Sequence, residues 1–204
     1  MCAEWLREAR AKAAQPNPDA MVLATSSADG HPSARVVLCK QLADADGYVV
    51  FYTNYESRKG RELIANPRAA SVFHWDALSR QVRIEGRILK SPAEESDAYF
   101  ASRPITSKLG AWASKQSEPL SSRAQLLAQV ATVTAKFALN LASLHPTVPR
   151  PPHWGGFRLW IEALELWVEG PGRVHDRARW TRELTQQDEF TFATSAWQAT
   201  RLNP

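Results

Sequence analysis

Disulfides, membrane spans and blocks of charge are all missing from this sequence, and each absence narrows what the chain can be. Two cysteines in 204 residues give no disulfide framework. Cys39 lies in an apolar stretch and reads as a small core residue, which suits a reducing compartment. No stretch approaches the roughly 18 apolar residues that a membrane span requires. The first residues, MCAEWLREARAKAA, put Glu4, Arg7 and Glu8 where a secretory signal needs an apolar run. The expectation is a cytoplasmic protein with no membrane partner. The 25 basic and 21 acidic residues leave a net charge of +4, spread along the chain. So diffuse an excess argues against a nucleic-acid partner and better suits a few cations around a small anion.

Several catalytic signatures are missing as well. Neither G-x-G-x-x-G nor G-x-x-x-x-G-K-[ST] occurs, and the strand–helix alternation of dinucleotide-binding folds is absent. The histidines His31, His74, His145, His153 and His175 are scattered, with no H-E-x-x-H and no Cys/His pair at ligand spacing, so no metal is expected. No G-x-S-x-G elbow marks an acyl-transfer nucleophile. What remains is an ordinary globular composition, 44% hydrophobic and 23% charged, with eight tryptophans. The length suits one large domain or two small ones.

The densest stretch runs from Arg35 to Lys59. RVVLCK and VVFYTNY read as two strands joined by a turn at Asp44-Ala45-Asp46-Gly47. Ser57 can then cap a helix that opens with Arg58 and Lys59, carries Leu63-Ile64 on its apolar side and stops before Pro67. A helix start offers free N–H groups and a positive dipole end. With two cations added, it reads either as a phosphate cradle or as a solvated basic helix start.

Around this stretch the pattern predicts a helix over residues 3–14 and a strand from Ala20 to Thr25, in which Met21-Val22-Leu23 is continuously apolar, as in a barrel interior. Strands follow at Ala69–Trp75 and Gln81–Leu89; in the second, Val82, Ile84 and Ile88 alternate with Arg83, Glu85 and Arg87, so one face is wet. Ser91-Pro92-Ala93-Glu94 reads as a capping box, and a short helix is expected over Ser107 to Ala113. Ser121 or Ser122 opens a long helix with a packing stripe of Leu126, Leu127, Val130, Val133, Phe137 and Leu141. A proline-rich connector from His145 to Pro152 leads to strands at Phe157–Val168, Arg173–Trp180, Glu189–Ala193 and Trp197–Leu202. These elements predict a mainly β, α+β fold: a β-barrel with peripheral helices. The domain expectation is one domain over 1–204 with an N-terminal helix, a helical insertion over 91–143 and C-terminal strands over 155–204.

Three polar clusters could carry chemistry. Tyr99 and Arg103 are four apart on an expected helix, and Ser107 follows Pro104. Phenol, guanidinium and hydroxyl together suit a phosphate or carboxylate; alternatively Arg103 caps the helix end. Ser114-Lys115-Gln116-Ser117 forms the second cluster, near Trp112. In the third, Arg173, His175 and Arg177 would share one strand face, where three such groups repel unless an anion or acid lies between them. A wet outer face is the plainer alternative.

RVVLCK, FYTNYESRKG, RQVRIEG, YFASRPITSKLGAWASKQS, HWGGFRL, LELW, RVHDR and the closing RLNP, in this order and spacing, resemble the pyridoxamine 5′-phosphate oxidase family. The resemblance runs from about Trp5 to Pro204. It implies an FMN-binding split barrel and a homodimer with two active sites at the subunit interface. The implied reaction oxidises pyridoxamine or pyridoxine 5′-phosphate to pyridoxal 5′-phosphate, with O2 as acceptor and H2O2 as product. Arg35, Val36, Val37, Leu38, Cys39 and Lys40, with Tyr52, Thr53, Arg58 and Lys59, would then hold the FMN ribityl phosphate and ring edge. Gln81, Gln116 and Ser117 would add hydrogen bonds, and Trp167 and Arg177 would complete the flavin site. Lys40, Tyr99, Arg103 and Ser107 would grip the substrate phosphate. Arg173, Val174 and His175 would meet the substrate ring, with Arg173 and His175 as the catalytic pair. Strand alternation would send Arg35 and Lys40 to opposite faces, where they could serve different phosphates.

Family members often carry a longer N-terminal arm whose Arg and Tyr close over the substrate; no counterpart is seen ahead of Trp5. The stretch from Glu183 to Ala199 is also longer than the resemblance implies. Related FMN oxidases of phenazine metabolism look similar but lack the lysine that ends RVVLCK and the tyrosine of YFASRP, whereas Lys40 and Tyr99 are both here. A flavin or pyridoxal-phosphate binding protein without turnover is the third reading.

Overall fold

A computed structural model of the chain describes residues 2–13, 15–138, 142 and 147–204. Expectations for Ala14, for Leu139 to Leu141 and for His145-Pro146 lie outside the described residues. The elements are α1 (Cys2–Ala11), β1 (Ala20–Ser26), β2 (Pro32–Leu38), β3 (Gln41–Ala43), β4 (Tyr48–Asn54), α2 (Arg58–Ala65), β5 (Arg68–Trp75) and β6 (Arg80–Lys90). They continue with α3 (Ala93–Ser102), α4 (Ile105–Ala113), α5 (Arg123–Lys136), β7 (Trp154–Val168), β8 (Asp176–Thr181), β9 (Leu184–Gln186), β10 (Phe192–Thr194) and β11 (Gln198–Leu202). Among the described residues none of the helices is long and apolar enough to cross a membrane.

A nine-stranded sheet runs β11-β8-β7-β6-β5-β1-β2, with β4 joined to both β7 and β3, while β9 and β10 form a separate pair. The chain divides into two units: Met1–Phe51, Glu62–Lys90 and Phe157–Pro204 make a sheet unit, and Tyr52–Arg61 with Ser91–Gly156 make a helical unit.

In the sheet unit, β6 alternates as its sequence predicts, with Val82, Ile84 and Ile88 buried. β1 does so too, against expectation: Met21 and Leu23 are buried but Val22 is 42% exposed, so the strand has one inner face rather than two. Val49, Val50 and Phe51 of β4 are fully buried, together with Phe73, Trp75, Ile84 and Leu159. Each such side chain contributes about 1.5–3 kcal/mol on burial. β6 and β7 stay paired from Arg80↔Val168 to Lys90↔Phe157, with a bulge beside Gly86. A Cβ on Gly86 would lie 1.8 Å from the Trp160 carbonyl oxygen, so only glycine allows that approach.

The sequence pattern extends β8 too far. Arg173 sits in a 3-10 turn, Pro171–Arg173, and the strand begins only at Asp176. Gly172 and Arg173 have φ of 62° and 65°, a left-handed pair that no strand accommodates. The short strand β9 is an element that its polar sequence does not announce.

In the helical unit, Ser122 caps α5 by accepting from the Gln125 N–H at 3.1 Å. Ser91 forms no capping box: α3 has no side-chain cap, and the buried Ser91 hydroxyl has no partner among the described residues. Its backbone N–H goes instead to the Gly156 carbonyl at 2.9 Å, which holds Ser91 too far outside the helix for its side chain to cap it. α4 starts at Ile105 rather than Ser107, because Pro104 tolerates the position before a first turn. The α5 stripe is used mainly at its C-terminal end, where Phe137 and Val133 join Leu109, Val148 and Trp112, while Leu127 is 58% exposed.

Candidate functional site

The helical unit holds two of the expected groups. Tyr52, on β4, stacks on Tyr99 of α3 with ring centroids 4.0 Å apart, and on Trp154 at 5.5 Å. Arg103 does not share a helix face with Tyr99. It ends α3 in an extended conformation, and its backbone N–H, not its side chain, bonds the Phe100 carbonyl. The guanidinium lies 4.7 Å over Trp154 and 5.5 Å over Phe100. Burial pushes its pKa down, with Tyr99 pulling the other way. Its Nη1 is buried with no hydrogen-bond partner among the described residues. A buried charged donor left unmade is costly, so such a group marks a place for an anion. Ser107 lies half-buried in the first turn of α4.

The second group is polar. Lys59 donates to the Gln116 side chain at 2.8 Å and to the Thr53 hydroxyl at 3.1 Å. Ser57 caps α2 as its sequence predicts, its hydroxyl accepting from the Gly60 N–H at 3.3 Å, with Arg58 exposed beside it. Ser117, next to Gln116, has φ of 74°, a left-handed conformation that turns the chain there. A Cβ on Gly155 would meet the Tyr55 hydroxyl at 2.0 Å, and one on Gly156 the Ser91 hydroxyl at 2.5 Å.

The sheet unit holds the rest. Arg35 reaches the carboxylate of Glu62, itself only 6% exposed, and also bonds the Thr25 and Ser33 hydroxyls. Its charge is therefore met inside the protein. Beyond it Val36 is exposed and Val37 and Leu38 are half-buried; Cys39 is fully buried, its thiol pushed up to about 12 by burial. β2 ends at Leu38, so strand alternation does not carry from Arg35 to Lys40. The Cys39 N–H turns to the Asp19 carbonyl and the Lys40 N–H to the Val50 carbonyl, and the Lys40 side chain is exposed.

Gln81, Trp167 and Arg177 are register partners on β6, β7 and β8, so they form one row on one sheet face. The His175 ring packs at a tilt against Trp167, centroids 4.7 Å apart, and its Nδ1 accepts from the Gly170 N–H at 3.3 Å. That bond puts the proton of a neutral ring on Nε2. Arg173 and Val174 are exposed on the left-handed turn. Arg173, His175 and Arg177 thus do not share a strand face, because only Arg177 is in the strand. Arg177 binds Glu165 through Nε at 2.9 Å and Nη2 at 2.8 Å. Trp154 and Glu165 are the residues whose roles the sequence reading missed. The signal for Glu165 was a carboxylate inside the apolar run LELWV, since a buried acid must find a cation.

Residues 8–137 match the family model described as pyridoxamine 5′-phosphate oxidase, and residues 154–204 match the pyridoxine 5′-phosphate oxidase C-terminal dimerisation region. The chain belongs to the pyridoxamine 5′-phosphate oxidase family. It is 53% identical over 201 residues to the pyridoxine/pyridoxamine 5′-phosphate oxidase of Methylibium petroleiphilum, covering 98% of this chain and 85% of that protein. To the Burkholderia cenocepacia protein of the same name it is 50% identical over 200 residues, covering 98% and 86%. A solved structure of PhzG from Burkholderia lata, in complex with tetrahydrophenazine-1-carboxylic acid, is also similar: TM-score 0.83 and 30% identity over 100% of this chain and 90% of that one. Membership makes the chain an oxidoreductase of a flavin-binding, split-barrel family and bears out the mainly β fold class. The match over 154–204 points to dimerisation through the C-terminal strands.

Proposed function

We propose that this family member oxidises pyridoxamine 5′-phosphate or pyridoxine 5′-phosphate to pyridoxal 5′-phosphate, with FMN as cofactor, O2 as acceptor and H2O2 as product. The buried Nη1 of Arg103, held on Trp154 with no hydrogen-bond partner among the described residues, carries this reading. Such a donor is prepared for one phosphate, and Tyr99, Ser107 and Lys40 would complete the grip. Arg173 and His175 would meet the pyridine ring, with the His175 Nε2–H available to donate and Val174 beside it. For the amine substrate, water then releases ammonia to leave the aldehyde.

The donor set suits FMN. From the helical unit, Arg58 and Lys59 at a capped helix start would take its phosphate. Tyr52, Thr53, Gln116 and Ser117 would supply polar edges to the ring. From the sheet unit, the row of Gln81, Trp167 and Arg177 offers an amide, a flat indole and a cation. Arg35, held by Glu62, would fix the segment Val36 to Lys40 along the cofactor. When bound, FMN supplies the two-electron redox chemistry that side chains lack. No dinucleotide loop is present to receive the pyrophosphate of FAD. A cytoplasmic homodimer with shared active sites completes the proposal.

The likeness to PhzG favours a second reading, oxidation of a carboxylated heterocycle, and one assay separates the two. The flavin released by acid should be FMN. H2O2 should form with pyridoxamine 5′-phosphate and not with tetrahydrophenazine-1-carboxylic acid; the reverse pattern would replace the proposal with the second reading. Light scattering of the flavin-loaded protein should give twice the chain mass, and a stable monomer at micromolar concentration would refute the shared site.

A further inference from the structure

Glu165 has no role in the flavin reading, yet it lies at the centre of a charged network on the sheet face that carries Gln81, Trp167 and Arg177. It is 5% exposed and lies near the C-terminal end of β7. Two residues along each strand from that row, and so on the same face, Arg83, Glu165 and Arg179 form a second row across β6, β7 and β8. One carboxylate oxygen of Glu165 takes both Nε and Nη2 of Arg177, and the other accepts from Arg83 Nη1 at 3.2 Å. Glu85 bridges Arg83 at 3.5 Å and Arg179 at 2.9 Å. Three guanidiniums face two carboxylates.

From this geometry we infer that Glu165 is a positioning residue: it fixes Arg177 in the row with Trp167 and Gln81, and so prepares the sheet face for the flavin. The inference rests on the proposed flavin site. Arg177 alone would have many rotamers, and Arg83 and Arg179 would repel it. A two-point bond from its Nε edge to a buried carboxylate leaves one orientation. The remaining Nη1 is held by the Asn203 carbonyl at 2.9 Å, so both sides of the guanidinium are anchored. The network keeps an excess of one positive charge, which suits an anionic or electron-rich ligand edge on this face.

The test titrates FMN into the full-length, flavin-stripped chain and follows fluorescence quenching. Glu165→Gln should weaken FMN binding by about tenfold or more, while the double variant with Arg177→Met should bind no more weakly than Arg177→Met alone. A merely structural Glu165 would lower the melting temperature and add its effect to that of Arg177→Met; such additivity, or unchanged binding in Glu165→Gln, overturns the inference. Should Glu165→Gln not fold, Glu165→Asp keeps the charge and shortens the reach; FMN binding equal to the parent would then overturn it. The Nε–H resonance of Arg177 in 15N-labelled protein gives an answer without flavin. It should be sharp and slowly exchanging in the parent and lose that protection in the Glu165 variant, and its persistence there would sink the inference. If the parent itself takes up no FMN, the flavin reading fails, and this resonance alone decides the role of Glu165.

Discussion

Arg35, Arg83 and Arg177 of the sheet unit and Arg103 of the helical unit are held in opposite ways. In the sheet unit Arg35 meets Glu62, Arg83 and Arg177 meet Glu165, Arg179 meets Glu85, and Arg80 meets Glu8. In the helical unit Arg61 and Arg150 also find acids, Glu118 and Asp97, but Arg103 lies over Trp154 and Phe100 and has no carboxylate partner among the described residues. A carboxylate fixes a guanidinium and also cancels its charge, so a paired arginine serves best as a strut or an oriented edge. An aromatic face holds the same group without cancelling it and leaves its donors for a ligand anion. The contrast separates arginines fixed as oriented edges from one whose donor is left open for a ligand.

The largest expected effect comes from breaking the unpaired side of this contrast. A charge-assisted hydrogen bond is worth roughly 1.5–3 kcal/mol, so Arg103→Ala should lower kcat/KM for pyridoxamine 5′-phosphate by about ten- to a hundredfold. FMN affinity should hardly change, and unphosphorylated pyridoxamine should be a poor substrate that is indifferent to the substitution. Steady-state kinetics with both substrates gives the answer: equal losses would reduce Arg103 to a structural residue at the end of α3.

Smaller effects are expected from the exposed turn of the sheet unit. His175→Asn or Arg173→Ala should slow turnover several-fold while FMN stays bound, because neither residue belongs to the paired network. If kcat/KM for either variant stays within about a factor of two of the parent, the ring-side role is withdrawn.

The smallest effect belongs to a paired surface charge. Hydrogen bonds from Lys12 and then Arg80 hold the Glu8 carboxyl below the usual range. A depressed folded pKa gives stability that is present above the ordinary carboxylate range and is lost as the pH falls through the folded value. Glu8→Gln should therefore melt slightly below the parent at pH 7, and the two should converge as the pH falls below the ordinary carboxylate range. A gap that stays constant across this range would mean that the side chain acts through packing rather than charge.

Strands β1, β4, β5 and β6 and the cap of α2 were legible because their signals are local: β-branched runs, period-two alternation, and a serine one residue before the helix. The site was legible where a residue's type alone suggests an anion, as at Arg103, Lys59 and Arg173. Three readings failed for want of distant information. The strand expected from Arg173 breaks because Gly172 and Arg173 turn left-handed. The Ser91 capping box is lost to the Gly156 carbonyl, 65 residues along the chain. The α5 stripe is incompletely used because its buried contacts gather around Phe137.

By itself, the sequence determined the kinds of group available: a mainly β framework, a capped basic helix start, and an excess of basic over acidic residues. Only the tertiary structure decided which cations are neutralised. Arg83 and Glu165 are 82 positions apart, and Arg35 and Glu62 are 27. Pairing at such distances depends on strand register and burial. A charge in a low-dielectric interior takes whatever partner the sheet sets opposite it, and among the described residues the Nη1 of Arg103 is given none.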